Sequence, residues 1–328
     1  MIRYDEKVRR VSLCNAEMKC SVLLPVYNGS PHLVAAVESI LSQDEDDFEL
    51  LIIDDCSNDG SAEVVRRYAK ADARVRAMFH TKNIGLSATL NEGLAEARSE
   101  FVVRMDHDDI AMPRRLSTQI GFLCEHPEVA VAGSFVYHMG RDRQHDRLVE
   151  LPVEHSEIVR ILLHRNCLYH PSVILRRSEI LALGGYRAEF KNSEDYDLWL
   201  RAGKTYRLAN IPVPLLRYRF TPGGMSLSRR WQQVICARTA VVSFQNPEWS
   251  YTQAEQEAAR QLERQGNGGF LEQVARGTVR ELNLLRLHRE ALHMLWIFAR
   301  QLSPARTARM TLECAFDLLR ARRRPAPP

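Results

Sequence analysis

The stretch FVVRMDHDD, residues 101–109, is an apolar run that passes directly into three carboxylates. The run predicts a buried strand, because short apolar segments bounded by turn signals are typical of buried strands. Asp106 and Asp108 flank a single residue and fall at the exposed end of that strand. Carboxylate oxygens in such a position can hold Mg²⁺ or Mn²⁺. A turn in which Asp109 caps the next helix would explain the same residues without a ligand.

Two earlier segments repeat this pattern of a buried strand that ends in polar residues. The run CSVLLPVYN, residues 20–28, ends at Tyr27 and Asn28, and the run at 48–53 leads into Asp55. Strands that alternate with helical patterns predict an α/β fold with a mostly parallel, doubly wound sheet. Ligands of such sheets bind beyond the carboxyl ends of the strands, so these polar ends predict one shared cleft. The intervening helical patterns lie at residues 31–43, 62–70 and 86–98.

The middle of the chain carries a second set of polar residues. Glu194 and Asp195 begin an amphipathic helical pattern, where the positive end of the helix dipole favours acidic side chains. Trp199 follows Asp195 by four residues and lies on the same face of the helix. Its ring can form one wall of a site for a sugar ring, or it can pack in the core. His170 begins a predicted strand, where a lone histidine is more often structural than a ligand.

From residue 229 onward the sequence is basic and helical, with 16 arginines against 9 acidic residues. Apolar side chains at helical spacing in residues 282–298 and 304–320 predict two amphipathic helices, and arginines surround the second. Such helices can bind an anionic membrane surface, or they can pack on each other or on the rest of the protein. The pattern lacks the interleaved aromatic and basic residues that favour nucleic-acid binding.

The N-terminal sequence and the cysteines predict a cytoplasmic location. MIRYDEKVRR carries charges where a secretory signal needs an apolar run, and no apolar stretch approaches the roughly 18 residues of a membrane span. The 7 cysteines are scattered and include no Cys-x-x-Cys pair, which argues against a disulfide framework and a zinc site. We expect the protein in the cytoplasm, or on the inner face of the membrane through its C-terminal helices.

Other nucleotide-binding and hydrolase folds are disfavoured by missing motifs. No Gly-x-Gly-x-x-Gly follows the first strand, and neither a Gly-x-x-x-x-Gly-Lys-Ser/Thr nor a Gly-x-Ser-x-Gly motif occurs. A sugar nucleotidyltransferase would need a glycine-rich basic loop after the first strand to grip a triphosphate, and that loop is missing too.

Eight segments in order, from about Cys20 to Ser226, resemble family 2 of the inverting glycosyltransferases. They are SVLLPVYNGS, SILSQ, FELLIIDDCSNDGS, NIGLSATLNEGL, RMDHDDIAMPRRL, HPSVILRRS, LGGYRAEFKNSEDYDLWLRAG and LLRYRFTPGGMS. The resemblance implies the GT-A fold of nucleotide-diphospho-sugar transferases. It also implies transfer of a sugar from a nucleotide-diphosphate sugar, expected to be a UDP-sugar, to a hydroxyl of a glycan or lipid-linked glycan in cell-surface polysaccharide biosynthesis. A catalytically inactive nucleotide-sugar-binding scaffold and a sugar nucleotidyltransferase remain as alternatives.

The resemblance also implies a role for each matching residue. Asp106 and Asp108 match the Asp-x-Asp that holds a divalent metal, Mn²⁺ or Mg²⁺, and Asp195 matches the catalytic base. The residues that match nucleotide-sugar contacts are Pro25, Tyr27, Asn28, Asp55 and Asp106. The residues expected on the acceptor side are Glu194, Trp199 and His170.

Two residues depart from the family pattern. His107 stands where the family usually has a small residue, and Thr221 stands where some members carry a histidine that completes the metal shell. The implied organisation is a lead-in over residues 1–19, a catalytic domain over 20–228 and a basic helical extension over 229–328. Within the catalytic domain, the nucleotide-binding half covers about 20–112 and the acceptor-binding half about 113–228.

Overall fold

The computed structural model describes residues 18–220 and 230–264, together with 278–294 apart from residues 281, 288 and 293. Several features of the sequence lie outside these ranges. They are most of the N-terminal lead-in, Thr221, the helical pattern at 304–320 and the end of the pattern at 282–298.

The chain divides into two compact units. One contains the described residues up to Val136 together with Val149–Tyr218, and it holds every residue for which the sequence predicts a role in binding or catalysis. The other contains Tyr137–Leu148 and the described residues from Arg219 onward. The predicted domain boundary at residue 228 falls outside the described residues and stays a prediction.

In the described part of the chain, nine strands form one sheet, and the first four of them pair in parallel. These strands are β1 (Cys20–Val26), β2 (Phe48–Asp54), β3 (Val75–Phe79) and β4 (Phe101–Arg104). The helices between them are α1 (Leu33–Leu41), α2 (Ser61–Ala71) and α3 (Leu86–Glu96). Their spatial order is β3–β2–β1–β4. The alternation of strand and helix confirms the predicted α/β fold.

Beyond β4 the sheet continues with antiparallel pairs. The remaining strands are β5 (Ile110–Ala111), β6 (Val129–His138), β7 (Arg147–Val149), β8 (Ile174–Arg176) and β9 (Arg207–Tyr218). The order continues β4–β8–β6–β9–β5, and β7 pairs with β6. β8 is antiparallel to β4 and to β6, and β5 is antiparallel to β9. The helices of this half are α4 (Arg115–Glu125), α5 (His155–Leu162), α6 (Arg177–Ala182) and α7 (Glu194–Thr205).

The register of the parallel strands brings their polar ends to one edge of the sheet. Val26 aligns with Asp54, and Leu23 aligns with Arg104. The residues that follow β1, β2 and β4 therefore meet beyond the carboxyl ends of the strands, as the predicted cleft requires. β1 and β2 are buried along their whole length, because helices cover a parallel sheet on both faces.

The sequence prediction missed parts of the antiparallel half. β9 runs from Arg207 to Tyr218 and includes Pro212 and Pro214. Prolines inside a run argue against a strand, so the sequence pattern does not indicate the first part of β9. Both prolines lie outside the short ladder to β5, which pairs only with Leu216 and Arg217. The short elements β5, β7 and α6 were also not predicted.

The second unit contains the helices α8 (Arg230–Gln245) and α9 (Tyr251–Arg264). Val242, Ala254 and Ala258 form a small buried cluster between them. Among the described residues, no helix is both long enough and apolar enough to cross a membrane.

The cysteines in the described part of the chain are of two kinds. Cys20, Cys56, Cys167 and Cys236 are free thiols. Cys124 is disulfide-bonded, which departs from the expectation that the scattered cysteines stay unpaired.

Candidate functional site

The loop after β1 is held in place by the loop after β2. The Asn28 amide donates to Ser57 Oγ at 2.9 Å, and the Asn28 side-chain oxygen accepts from the Asn58 amide at 3.0 Å. Asn28 adopts a left-handed backbone with φ of 52°, which asparagine tolerates better than most residues. Tyr27 is 49% exposed beside it, whereas Pro25 is buried within β1. Tyr27 and Asn28 thus present polar and aromatic surface at the edge of the sheet.

Asp55 is buried at the end of β2, and its carboxylate binds the loop that precedes α3. Its Oδ1 accepts from the Ile84 amide at 2.8 Å, and its Oδ2 accepts from the Gly85 amide at 2.9 Å. His80 Nδ1 lies 2.7 Å from Oδ1, and His80 Nε2 lies 2.8 Å from Glu92 Oε2. Burial alone would lower the pKa of His80, but hydrogen bonds to Asp55 and Glu92 outweigh it and raise the pKa.

Asp106, Asp108 and Asp109 form a carboxylate cluster at the end of β4. One oxygen from each residue lies within 4.8 Å of the other two. Asp109 is fully buried, whereas Asp106 and Asp108 keep exposed surface. The two residues predicted as metal ligands are therefore the two that remain accessible.

His107, between the two accessible aspartates, packs against the loop after β1. A Cβ atom on Gly29 would lie only 3.0 Å from the His107 ring. The ring fits because glycine has no side chain at that position. The larger residue in the Asp-x-Asp turn is thus accommodated, and it ties the turn to the loop that carries Asn28.

Arg104, the last residue of β4, is a buried cation at the centre of the site. Its Nη1 lies 2.5 Å from Asp106 Oδ2, and only 2% of its surface is exposed. Burial raises the pKa values of Glu194 and Asp195, and the charge of Arg104 partly opposes that rise. A buried charge needs partners, and here the partners are the acidic residues of both halves of the site.

A second buried arginine, Arg115, holds the backbone of Arg104 in place. Its guanidinium donates to the backbone oxygens of Arg104 at 2.7 Å and Pro171 at 2.8 Å, and to the Gln119 side chain at 3.0 Å. Burial lowers the pKa of Arg115 to about 9. These bonds fasten the end of β4 to the turn that begins at His170.

Glu194 and Asp195 occupy the first turn of α7, as predicted. Glu194 is 5% exposed, and Asp195 keeps more of its surface. Asn166 Nδ2 donates to Asp195 Oδ2 at 2.8 Å, which fixes that carboxylate. Burial raises the pKa of both carboxyls, and the charge of Asp195 raises that of Glu194 further. A partly exposed carboxylate with a raised pKa is a stronger base than an ordinary carboxylate, which suits it to accept a proton.

His170 and Trp199 lie behind these carboxylates rather than beside an open surface. His170 Nε2 lies 2.9 Å from the Tyr186 hydroxyl, and its ring meets the Trp199 ring edge-on at 5.9 Å between centroids. Burial holds the pKa of His170 well below its usual value, so the ring is neutral. Trp199 is fully buried. Both side chains pack against α7 in the interior. Of the three residues expected on the acceptor side, only Glu194 is next to a residue with accessible surface, Asp195.

Asp197, two residues after the predicted base, binds two arginines. Its Oδ2 accepts from Arg201 Nε at 3.0 Å and from Arg187 Nε at 3.0 Å, and its Oδ1 accepts from a second nitrogen of Arg187. Arg201 also donates to the backbone oxygens of Leu183 and Gly185. The cluster fixes the segment before α7 to the helix itself.

Sequence reasoning missed several residues of the site. A signal existed for Arg104, since a charged residue inside an otherwise apolar strand needs a buried partner. No comparable signal marked the others, whose roles become visible only from the contacts that their side chains make in the fold. They are His80, Arg115, Asn166, Tyr186 and Asp197.

Comparison with known proteins agrees with this geometry. A model of Glycosyl transferase family 2 matches residues 21–184, half of the 328 residues. The chain is 32% identical over 207 residues to the O-antigen biosynthesis glycosyltransferase WbnJ of Escherichia coli, covering 61% of this chain and 78% of that protein. It is 30% identical over 218 residues to the amylovoran biosynthesis glycosyltransferase AmsE of Erwinia amylovora, covering 65% of this chain and 81% of that protein.

Solved structures show the same fold. TarS residues 1–349 of S. aureus, in complex with UDP-GlcNAc, superimposes with a TM-score of 0.56 at 18% identity, covering 87% of this chain and 92% of that one. The mannosyltransferase PcManGT from Pyrobaculum calidifontis, in complex with GDP-Man and Mn²⁺, gives a TM-score of 0.54 at 17% identity, covering 97% and 87%. These matches confirm the predicted GT-A fold and favour neither the inactive scaffold nor the nucleotidyltransferase. With the acidic residues of both strand ends and of α7 in place, the chain belongs to glycosyl transferase family 2.

Proposed function

We propose that this glycosyltransferase moves a sugar from a nucleotide-diphosphate sugar to an acceptor hydroxyl, with inversion at the anomeric carbon. One observation carries the proposal. Arg104 contacts Asp106 and acts electrostatically on Glu194 and Asp195, so the two acidic groups belong to one site. One group is suited to hold the donor diphosphate, and the other is suited to activate an acceptor.

Asp195 acts as the general base in this proposal. Asn166 holds one of its oxygens, and burial raises the pKa of the carboxyl. The acceptor hydroxyl loses its proton to Asp195 as its oxygen attacks the anomeric carbon, while the bond to the nucleoside diphosphate breaks. A single displacement of this kind inverts the anomeric centre, and general-base catalysis contributes about 10²- to 10⁴-fold to such a step.

The residues at the end of β4 fit a divalent cation. Asp106 and Asp108 offer hard oxygen ligands, which Mg²⁺ and Mn²⁺ prefer, and their oxygens lie within 4.8 Å of each other. Arg104 occupies one oxygen of Asp106 and orients the carboxylate. When bound, the cation neutralises charge on the departing diphosphate.

The nucleotide side is assigned to the loops after β1 and β2. Tyr27 offers an exposed ring and Asn28 an exposed amide, while Asp55 supplies an acceptor fixed by the loop before α3. The support is their common position at the edge where the parallel strands end.

The names of two relatives support a class of acceptor. Both are named for polysaccharide biosynthesis, of O-antigen and of amylovoran, so we assign the acceptor as a glycan or lipid-linked glycan of a cell-surface polysaccharide. Transfer takes place in the cytoplasm, where nucleotide sugars are made. The C-terminal helical patterns hold the protein at the inner face of the membrane.

The test is a panel of nucleotide sugars incubated with the protein, with hydrolysis or transfer measured with and without EDTA. We expect turnover of at least one donor, loss of that turnover in EDTA, and recovery on addition of Mn²⁺ or Mg²⁺. Full turnover in the chelator would refute the role of Asp106 and Asp108 as metal ligands.

A further inference from the structure

Asn91, on α3, holds the backbone of Tyr186 with both ends of its side-chain amide. Its Nδ2 donates to the Tyr186 oxygen at 2.7 Å, and its Oδ1 accepts from the Tyr186 amide at 2.8 Å. The two residues are 95 positions apart, and Tyr186 lies in the segment between α6 and α7. The contact therefore joins a helix that packs on the parallel strands to the segment that leads into the proposed base.

The segment fits Asn91 closely because a glycine precedes Tyr186. A Cβ atom on Gly185 would collide with Asn91 Oδ1, and Gly185 has a left-handed φ of 67°. Glycine alone tolerates both the close approach and this backbone conformation without strain. Arg201, on α7, donates to the Gly185 oxygen at 2.7 Å. The position of Tyr186 is thus set by α3 and α7 together.

α3 is itself fixed to the sheet near Asn91. A Cβ atom on Gly93 would collide with the Leu23 side chain of β1, so the helix lies directly on that strand. Glu92, the neighbour of Asn91, has its Oε2 2.8 Å from His80 Nε2. A side chain on such a rigid element can hold its partner in one position.

The ring of Tyr186 carries this position into the site. Tyr186 is buried, and its hydroxyl lies 2.9 Å from His170 Nε2. Burial raises the pKa of the hydroxyl, and the charges of four groups of the site also act on it: Arg104, Asp195, Glu194 and Asp106. The ring therefore lies close to the end of β4 and to the first turn of α7.

We infer that Asn91 is a positioning residue for the transfer reaction, which holds the Tyr186 ring close to Asp195 and so keeps water away from this carboxylate. The inference rests on the proposed function, in which Asp195 is the base. Without the amide of Asn91, the N–H and the carbonyl of Tyr186 would lose their partners in a buried segment, which destabilises this position of the segment. The segment would then move, and water would enter beside Asp195.

Within the described residues, the surroundings of Asp195 come from separate parts of the chain. Glu194 lies on the same helix, Arg104 ends β4, Asn166 follows α5, and Tyr186 precedes α7. Burial is the largest effect on the pKa of Asp195 and raises it, whereas Arg104 opposes this rise. Water beside Asp195 would weaken both effects, and the larger one decides the sign. The pKa of Asp195 should therefore fall when Tyr186 is displaced.

The test follows the hydrolysis of a nucleotide sugar against pH for the wild type and for Asn91→Ala, in the presence of Mn²⁺. The donor is the one that the wild type hydrolyses fastest in a panel of UDP-glucose, UDP-galactose, UDP-N-acetylglucosamine, dTDP-rhamnose and GDP-mannose. Because the base must be ionised, the acid limb of kcat/KM should move to lower pH in Asn91→Ala. We expect a shift of at least about 0.5 unit, a small part of the 3 to 5 units that full burial can cause.

The rate constants give a second readout of the same variant. A displaced base should lower kcat by about 10- to 100-fold, while KM for the nucleotide sugar stays close to the wild-type value. An acid limb at the wild-type position in folded Asn91→Ala would overturn the inference, because a purely structural role lowers stability without moving the limb.

Variants of Tyr186 test whether Asn91 acts through this residue. Tyr186→Leu should move the acid limb in the same direction as Asn91→Ala, and the double variant should add no further shift. Tyr186→Phe keeps the ring and removes only the hydroxyl, so its limb should stay near the wild-type position. Additive shifts in the double variant would show that Asn91 does not act through Tyr186.

A milder variant and a control complete the experiment. Asn91→Ser keeps a polar group too short to reach both backbone groups of Tyr186, so it should give a smaller shift in the same direction. If Asn91→Ala does not fold, an unshifted limb in Asn91→Ser overturns the inference. Asn246→Ala is the matched control, because Asn246 Nδ2 also donates to a backbone oxygen, that of Val242 at 2.9 Å in the second unit, and its limb should not move.

Failure of the inference and failure of the proposed function are distinguishable. If the wild type hydrolyses no nucleotide sugar of the panel, or if Asp195→Asn keeps the wild-type rate, the proposed function is wrong. If Asp195→Asn is inactive and the limb of Asn91→Ala does not move, the proposed function stands and only the role of Asn91 is wrong.

Discussion

At the residue scale, Asp195 and Asp197 show how two aspartates on one helix take different parts. Asp195 keeps accessible surface and accepts a hydrogen bond from the Asn166 side chain, whereas Asp197 is 2% exposed and binds two arginines. We predict that Asp195→Asn lowers transfer by about 10²- to 10⁴-fold while donor binding is kept, since the amide cannot accept the proton. Steady-state kinetics with calorimetry of donor binding measure both quantities. Transfer near the wild-type rate would place the base elsewhere.

Arg104 gives a second prediction at this scale, on pH dependence. Burial raises the pKa of Asp195, and Arg104 opposes this effect. Because the base must be ionised, activity is lost as pH falls through that raised pKa. Arg104→Met removes the opposing charge, so the acid limb of kcat/KM should move to higher pH. Arg104→Lys keeps a positive charge and should leave the limb near its wild-type position.

The groups that act on Asp195 come from several elements, and the prediction depends on their balance. Glu194 adds a like charge from the same helix, and Arg104 adds the opposite charge from β4. The charges of Glu194 and Arg104 also act on the pKa of the Tyr186 hydroxyl, after the larger effect of burial. If the limb of Arg104→Met coincides with that of the wild type, Arg104 has only a structural role. If the acid limb of Arg104→Lys shifts as far as that of Arg104→Met, the effect of Arg104 on Asp195 comes from the geometry of the guanidinium rather than from its charge.

At the element scale, the segment before α7 depends on Asp197. Removing one partner of a fully buried ion pair costs about 3 kcal/mol, but the Arg187 side chain is 37% exposed, so water partly solvates the remaining charge and the cost falls to about 1 to 2 kcal/mol. We predict that Asp197→Asn lowers the free energy of unfolding by about that amount, measured by urea denaturation. Asp195→Asn is the matched control on the same helix and should cost far less, because its charge is already opposed by burial. Equal stabilities of the two variants would contradict the role of Asp197.

The sequence predicted elements well where the pattern of side chains was local. The apolar runs before Tyr27, Asp55 and Asp106 identify β1, β2 and β4 and place their polar ends together. It failed where tertiary context decides, as in the proline-containing start of β9. The same division holds for the site. Carboxylates at strand ends can be predicted, but His80 and Asn166 become functional only through partners about 25 to 29 positions away.

At the scale of the whole molecule, the C-terminal part of the chain differs from the catalytic unit in its charge, because it is basic. The family match ends at residue 184, and the helical patterns at 282–298 and 304–320 lie beyond it. The structure describes part of the first pattern, where Leu282, Leu285, Ala291 and Met294 are fully buried, so these apolar side chains are packed against protein. The second pattern lies outside the described residues and is supported by sequence alone. The acidic site and the basic end carry charges of opposite sign and suit different partners.

We predict that the C-terminal arginines attach the protein to anionic membranes. Each basic residue near an anionic surface contributes about 1 kcal/mol of binding free energy, so four of them contribute about 4 kcal/mol. Salt screens these charges and should weaken the attachment. Sedimentation with phosphatidylglycerol vesicles would compare the full chain with a variant in which Arg320, Arg322, Arg323 and Arg324 are changed to glutamine. A control with the same change in charge replaces the exposed residues Arg66, Arg67, Lys70 and Arg160. Loss of binding in the first variant alone supports attachment through the C-terminal end, whereas equal partitioning of all three proteins leaves that end as ordinary packed structure.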